Sequence, residues 1–217
     1  MEFDRLTSAG RKVVNDLKVP PALASVAKVT DWTVRSYIKV ADGLTDAAGW
    51  IARALVLILI PIGFLNVFLR YVGQYVQAQL VNNTWIEAQW YLYGVIFLLM
   101  FPYLLRYDGN VRVDFWYAER TDRVKARIDL IGHLVGLIPF TLLAIWVSWK
   151  PVREAWVYWE MSPDPGGLPR APIKALILVA FILLGIQALA SLIRLAAFFT
   201  GRDEELFLGR EAPMRIE

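Results

Sequence analysis

The chain has 217 residues, of which 57% are apolar and 20% charged, with a mean hydropathy of +0.45, where soluble domains carry roughly 45–50% and about 25%. The apolar excess is gathered into runs, which argues against a water-soluble globule and for a bilayer protein. The absence of cysteine excludes disulfides, thiolate zinc sites, iron–sulfur clusters and cysteine nucleophiles. The single histidine excludes haem held by two histidines of one chain, and a net charge of +3 gives no reason to expect nucleic acid as a partner.

Residues 1–20 carry Glu2, Asp4, Arg5, Arg11, Lys12, Asp16 and Lys18 and lack the apolar run of roughly 7–15 residues of a cleavable signal peptide. None is expected, and the first span then serves as an uncleaved insertion signal. Ala22–Gly49 sets Leu23, Val26, Trp32, Val34, Tyr37, Ile38 and Leu44 among Lys28, Arg35 and Lys39, the composition of an amphipathic helix lying at an interface. Residues 1–49 are therefore expected to form a cytoplasmic leader.

Four stretches are free of Lys, Arg, Asp and Glu: Ala54–Leu69 (16 residues), Ala88–Leu105 (18), Leu130–Trp149 (20) and Ala175–Ile193 (19). As helices they cover about 24–30 Å, close to the hydrocarbon core of a bilayer. The first lengthens if Arg53 snorkels and Trp50 marks its start. The expected fold is all-α, with four transmembrane helices (about 50–70, 88–106, 129–149 and 173–194) in a domain over 50–199 and a cytoplasmic tail at 200–217.

Cations give the orientation, because Lys and Arg are retained on the cytoplasmic side. The leader holds seven, the second connection six (Arg106, Arg112, Arg120, Arg123, Lys125, Arg127) and the tail four, whereas the first connection holds none and the third four (Lys150, Arg153, Arg170, Lys174). Both termini are expected in the cytoplasm. In the second connection, Val111–Tyr117 brings basic and aromatic residues to a basic helix ending near Arg127, expected to lie flat. The third connection contains Ser162-Pro163-Asp164-Pro165-Gly166-Gly167-Leu168-Pro169-Arg170-Ala171-Pro172, whose prolines and glycines forbid a helix and set a stiff outer loop.

Transport paths and intramembrane enzymes place ionisable groups at mid-membrane. The spans hold instead only Asn66, Gln89, His133, Thr141, Ser148, Gln187 and Ser191. His133 lies near the cytoplasmic boundary and is expected to hydrogen-bond there rather than to relay protons. Asn66 with Arg70, and Gln187 with Ser191 and Arg194, form polar stripes of the kind that tie a helix to a neighbour in the same chain or in a partner. Glu87 is placed to pair with Arg70. No Ser–His pair, metal-ligand spacing or glycine-rich phosphate loop occurs, so no enzymatic activity and no cofactor are expected. Two other readings stand beside this one. One is a membrane anchor subunit of a redox enzyme complex, on the strength of four helices, His133 and the aromatics. The other is a lipid head-group enzyme using Asp108, Arg112 and Asp114.

Several motifs occur in order: Asn66-Val67-Phe68-Leu69-Arg70-Tyr71, Trp85-Ile86-Glu87-Ala88-Gln89-Trp90-Tyr91-Leu92, Leu105-Arg106-Tyr107-Asp108-Gly109-Asn110-Val111-Arg112-Val113-Asp114 and Arg127-Ile128-Asp129-Leu130-Ile131-Gly132. In this order the chain resembles the small membrane subunit of tripartite ATP-independent periplasmic (TRAP) transporters. The proline-rich stretch Ser162–Ala175 is similar to the mannitol or chloroaromatic branch. Asn110 departs from the many relatives with His there.

The resemblance implies a subunit of the bacterial inner membrane without substrate or metal sites of its own. Its expected partners are a large permease subunit, which would bind the sodium ions, a periplasmic substrate-binding protein, and membrane lipids. It would brace the scaffold of the large elevator subunit and help dock the binding protein for sodium-driven uptake of a solute, expected to be an organic acid. Asn66, Arg70, Tyr71, Glu87, Trp90, Arg112, Asp114, Arg170, Gln187 and Ser191 are the expected structural or subunit-interface residues.

Overall fold

A computed structural model describes residues 21–109, 117 and 120–199. Regular structure among them is helical: α1 (Pro21–Val76), α2 (Asn83–Arg106), α3 (Asp122–Ile131), a π-helical segment (Gly132–Leu137), α4 (Ile138–Val157) and α5 (Ala171–Phe199). Four stretches are long and apolar enough to cross a membrane: Trp32–Val76, Asn83–Arg106, Arg123–Val157 and Ala171–Ala197. The chain divides into two compact units, Met1–Lys39 and Val40–Glu217. The described part of the first is helical; the second contains the bundle.

Within the second unit α1 and α2 run antiparallel in a register set by small residues. Gly49 of α1 faces Tyr103 of α2 so closely that a Cβ on Gly49 would lie 2.2 Å from the Tyr103 ring. Further along, Ala48 and Ala52 pack on Leu99, and Gly63 lies beside Gln89. α5 runs parallel to α2, with Ile173 against Gly94 and Phe181 6.2 Å from Phe101. α4 returns antiparallel to α5, with the Phe140 ring 5.9 Å from Phe181. The topology is therefore up-down-up-down, with α5 in contact with α2, α3, the π segment and α4. Ala180, Ala188 and Ala190 of α5 are fully buried, because small side chains let neighbouring backbones approach where lipid supplies no hydrophobic drive between helices.

The opposite faces are apolar and uncovered: Leu57 is 72%, Trp90 73% and Trp146 76% exposed, as suits surfaces that meet hydrocarbon or another membrane subunit. The second unit also extends the bundle beyond the expected boundary at Gly49. Residues 42–49, assigned from sequence to an interfacial leader, pack inside it on α2 and α5. The third span likewise begins earlier than expected, from Arg123.

Pro139 near the start of α4 has no N–H and its ring would strike the carbonyl four residues earlier; the π-helical turn before it opens the ladder at that point. The Thr141 hydroxyl, fully buried, turns back to Leu137 O and Ile138 O and satisfies carbonyls at that junction. α1, α2 and α4 each end on a left-handed residue, Gln77, Asp108 and Trp159. In each case the next N–H reaches five residues back: Ala78 to Gly73 O, Gly109 to Leu104 O and Glu160 to Ala155 O, all at 3.0 Å. These are Schellman caps built without glycine at the turning residue.

Gly49→Ala is expected to lower stability by about 1–3 kcal/mol, since Tyr103 has to move. Gly43→Ala, in the same helix with nothing within 4 Å of its new methyl, is expected to raise stability by about 0.5–1 kcal/mol. Unfolding of the two variants in detergent measures both effects.

Candidate functional site: polar clasps at the two ends of the bundle

On α1, Ala41, Thr45, Ala48 and Ala52 recur at helical spacing and are all buried, so one face of this helix is small and lies against its neighbours. Thr45 donates its hydroxyl proton to Gln187 Oε1 at 2.8 Å, and Gln187 Nε2 donates to Asp42 Oδ1 at 3.3 Å. The second Asp42 oxygen takes the Arg194 guanidinium. Arg106 at the end of α2 closes the group: it donates to Asp42 O at 2.7 Å, lies 3.6 Å from Asp42 Oδ1 and pairs with Asp46. Tyr107 donates to Asp46 Oδ1 at 2.9 Å, beneath the Arg106 guanidinium.

Three helices are thereby tied by two carboxylates and two guanidinium groups, a neutral set. Such a set tolerates low dielectric only because each charge has a partner and further hydrogen bonds. Burial, and the hydrogen bond to Asp46, raise the Tyr107 phenol above its ordinary value, so it remains a proton donor through the physiological range.

The second clasp lies at the other end. The loop between α4 and α5 folds on itself through Ser162 N–H to Leu168 O (3.1 Å), Gly167 N–H to Asp164 O (3.0 Å) and Arg170 N–H to Glu160 O (2.8 Å). Gly166 sits at φ +72°, the left-handed region that favours glycine. The folded loop caps the start of α2. Buried Glu87 accepts from Leu168 N–H, Thr84 donates to Gly166 O at 2.6 Å, and Tyr91 donates to Leu168 O at 3.3 Å. Lys174 pairs with Glu160, which fixes the start of α5 to the same loop.

The expected residues fall into separate groups. Gln187 is fully buried in the first clasp, with half-buried Ser191 one turn beyond it. Glu87 and half-buried Arg170 belong to the second. Asn66 and Arg70 line one cleft with Asn82 and Ile86, while Tyr71 and Trp90 are exposed. Arg112 and Asp114 lie outside the described residues, as does most of the connection read as flat. The Arg70–Glu87 pair is not formed. The α1–α2 register carries Arg70 past Glu87 to the level of Asn82, and the Glu87 carboxylate points to the loop. Asp42, Thr45, Asp46, Arg106 and Tyr107 were not anticipated as a site. Their signal was the Asp42, Thr45 and Asp46 spacing beside a buried alanine stripe. His133 is buried, with Nδ1 2.7 Å from Asp129 O; among the described residues its Nε2 meets no hydrogen-bond partner.

Asp42→Ala leaves Arg194 without its carboxylate and Gln187 Nε2 without its acceptor, while Arg106 keeps Asp46, and is expected to cost about 3 kcal/mol, the lower end for a broken buried pair because this one is partly open to solvent; equilibrium unfolding in detergent measures it. Glu87→Ala is expected to release the loop and speed proteolytic cleavage within residues 158–170, whereas Arg70→Ala leaves the cleavage rate unchanged. Equal acceleration by both variants would contradict the assignment of Glu87 to the loop.

Among the described residues no group of three or more His, Cys, Asp or Glu side chains could hold a metal ion, and both clasps are made of groups that bind each other. What they can do is hold helices together. No curated relative and no solved structure matches the chain. Residues 59–198 match the family described as tripartite ATP-independent periplasmic transporters, DctQ component, a match that takes in the last part of α1 from residue 59 on, all of α2, α3 and α4, and nearly all of α5. A four-span bundle with its buried polar groups directed inward thus belongs to the DctQ component family of tripartite ATP-independent periplasmic transporters.

Proposed function

We propose that this chain is the small permease subunit of a sodium-driven TRAP importer, standing beside a larger permease subunit as part of its fixed scaffold and helping to dock a periplasmic substrate-binding protein. The observation that carries this reading is the first clasp. The buried polar groups of α1, α2 and α5 are joined to one another, and the exposed faces of the spans are apolar. A bundle tied in this way supports a neighbour that moves. Membership in a family of transporter components, rather than of enzyme subunits, displaces the redox-anchor reading.

The distribution of Lys and Arg supports a bacterial inner-membrane protein with both termini cytoplasmic, which puts the Asp42 clasp on the cytoplasmic side and the Glu87 clasp on the periplasmic side. The loop of 158–170, stiffened by its own hydrogen bonds, is then the surface offered to the binding protein. The solute, an organic acid in this reading, and the sodium ions are held by the partner chains.

The test is reconstitution of the large permease subunit, with and without this chain, in liposomes with a sodium gradient and binding protein loaded with its labelled solute. Uptake is expected only when both membrane subunits are present, and full uptake by the large subunit alone would overturn the proposal.

A further inference from the structure

Arg53 is an exposed cation of α1 immediately before the charge-free run that begins at Ala54, within a stretch apolar enough to cross a membrane. Its partner among the described residues is uncharged: Nη1 donates to the Tyr103 hydroxyl at 3.0 Å, and the guanidinium carbon stands 5.2 Å from the centre of the same ring. The acids nearest in sequence, Asp42 and Asp46, are engaged by Arg106 and Arg194. A guanidinium that faces out of a membrane bundle with no anion beside it among the described residues calls for one from outside the bundle.

The depth of this charge follows from packing. Tyr103 lies opposite Gly49, one turn nearer the Asp42 end than Arg53, so the guanidinium reaches back by about one turn, roughly 5 Å, as helical side chains lean toward the N-terminus. That brings it to within one turn of Asp46 and beside Trp50, which is 68% exposed, a side chain suited to the head-group boundary. The hydrogen bond and the ring restrain the planar group, and the hydrogen bond to Tyr103 engages only one of its five N–H donors. A fixed fork of N–H donors fits two oxygens of a phosphate.

We propose that Arg53, oriented by Tyr103 and flanked by Trp50, binds the phosphate of a net-anionic phospholipid on the outer surface of the bundle, at the membrane boundary near Asp42. Net negative charge is required because Arg53 has no anionic partner among the described residues; a zwitterionic lipid brings its own cation. The inference rests on the bundle standing in a bilayer and not on the transporter to which it belongs.

Native mass spectrometry of the full-length protein, titrated with phosphatidylglycerol or phosphatidylcholine, tests this. Preferential retention of phosphatidylglycerol is expected, with affinity falling about fivefold in Arg53→Gln, from the roughly 1 kcal/mol that a basic residue contributes near an anionic surface. Arg53→Lys, which keeps the charge and loses the fork, is expected to fall between the two, and Arg123→Gln, which removes an exposed cation elsewhere, to bind as the parent does. Melting curves show whether each variant is folded, and Arg53→Lys carries the test if Arg53→Gln is not. Unchanged phosphatidylglycerol binding by Arg53→Gln would overturn the proposal. So would equal protection by soluble glycerol phosphate, which would point to a free phosphate. Loss of the large permease subunit from Arg53→Gln preparations with lipid retention intact would also overturn it, and would identify a carboxylate of that subunit as the anion.

Discussion

The Asp42 carboxylate is the interaction on which the bundle depends. One side chain on α1 meets Gln187 and Arg194 of α5 and lies beside Arg106 of α2, so three helices share a single anion. Electrostatic attraction in the low dielectric between helices is strong, and so is the cost of leaving any member alone. The neutral balance of Asp42 and Asp46 against Arg106 and Arg194 permits this group to stand at a membrane boundary. The alanine stripe beside it allows α1 to come close enough for the short Thr45 and Asp42 side chains to reach α5.

The second end is organised differently. There the tie is a folded loop, held mainly by backbone groups and by Glu87 acting as an acceptor for Leu168 N–H. An interior joined at both ends resists sliding of one helix past another, while the outward faces, rich in Leu, Phe and Trp, are solvated equally well by lipid or by a neighbouring subunit. The proposed support role rests on this combination together with membership in a family of transporter components.

Much of the architecture was legible in the sequence because the spans are strong signals. Charge-free runs of 16–20 residues mark four helices whatever their partners. Gln187 and Arg194, read from their spacing as part of a polar stripe, meet α1, but the partner side of that contact is not legible in the sequence. Asp42 and Asp46 sit among basic and aromatic residues, and local composition there suggests a surface helix; only the register with α2 shows that these acids face inward. Glu87 was misassigned for a related reason. Proximity in sequence and opposite charge suggested Arg70, whereas the choice was made by a loop about 80 residues away whose N–H groups need acceptors. The caps at Gln77, Asp108 and Trp159 escaped notice because left-handed turns are read from glycine.

The most direct test of a bundle closed by its own polar groups is a double-mutant cycle on the buried Thr45–Gln187 hydrogen bond, using Thr45→Val, Gln187→Leu and the pair. Each single change leaves a buried polar group without its partner and costs about 1–3 kcal/mol, whereas removing both can be nearly neutral. Unfolding in detergent is expected to show the pair costing at least about 0.5 kcal/mol less than the sum of the singles. Strict additivity would mean that the two side chains do not meet in the folded protein and would contradict an internally tied bundle.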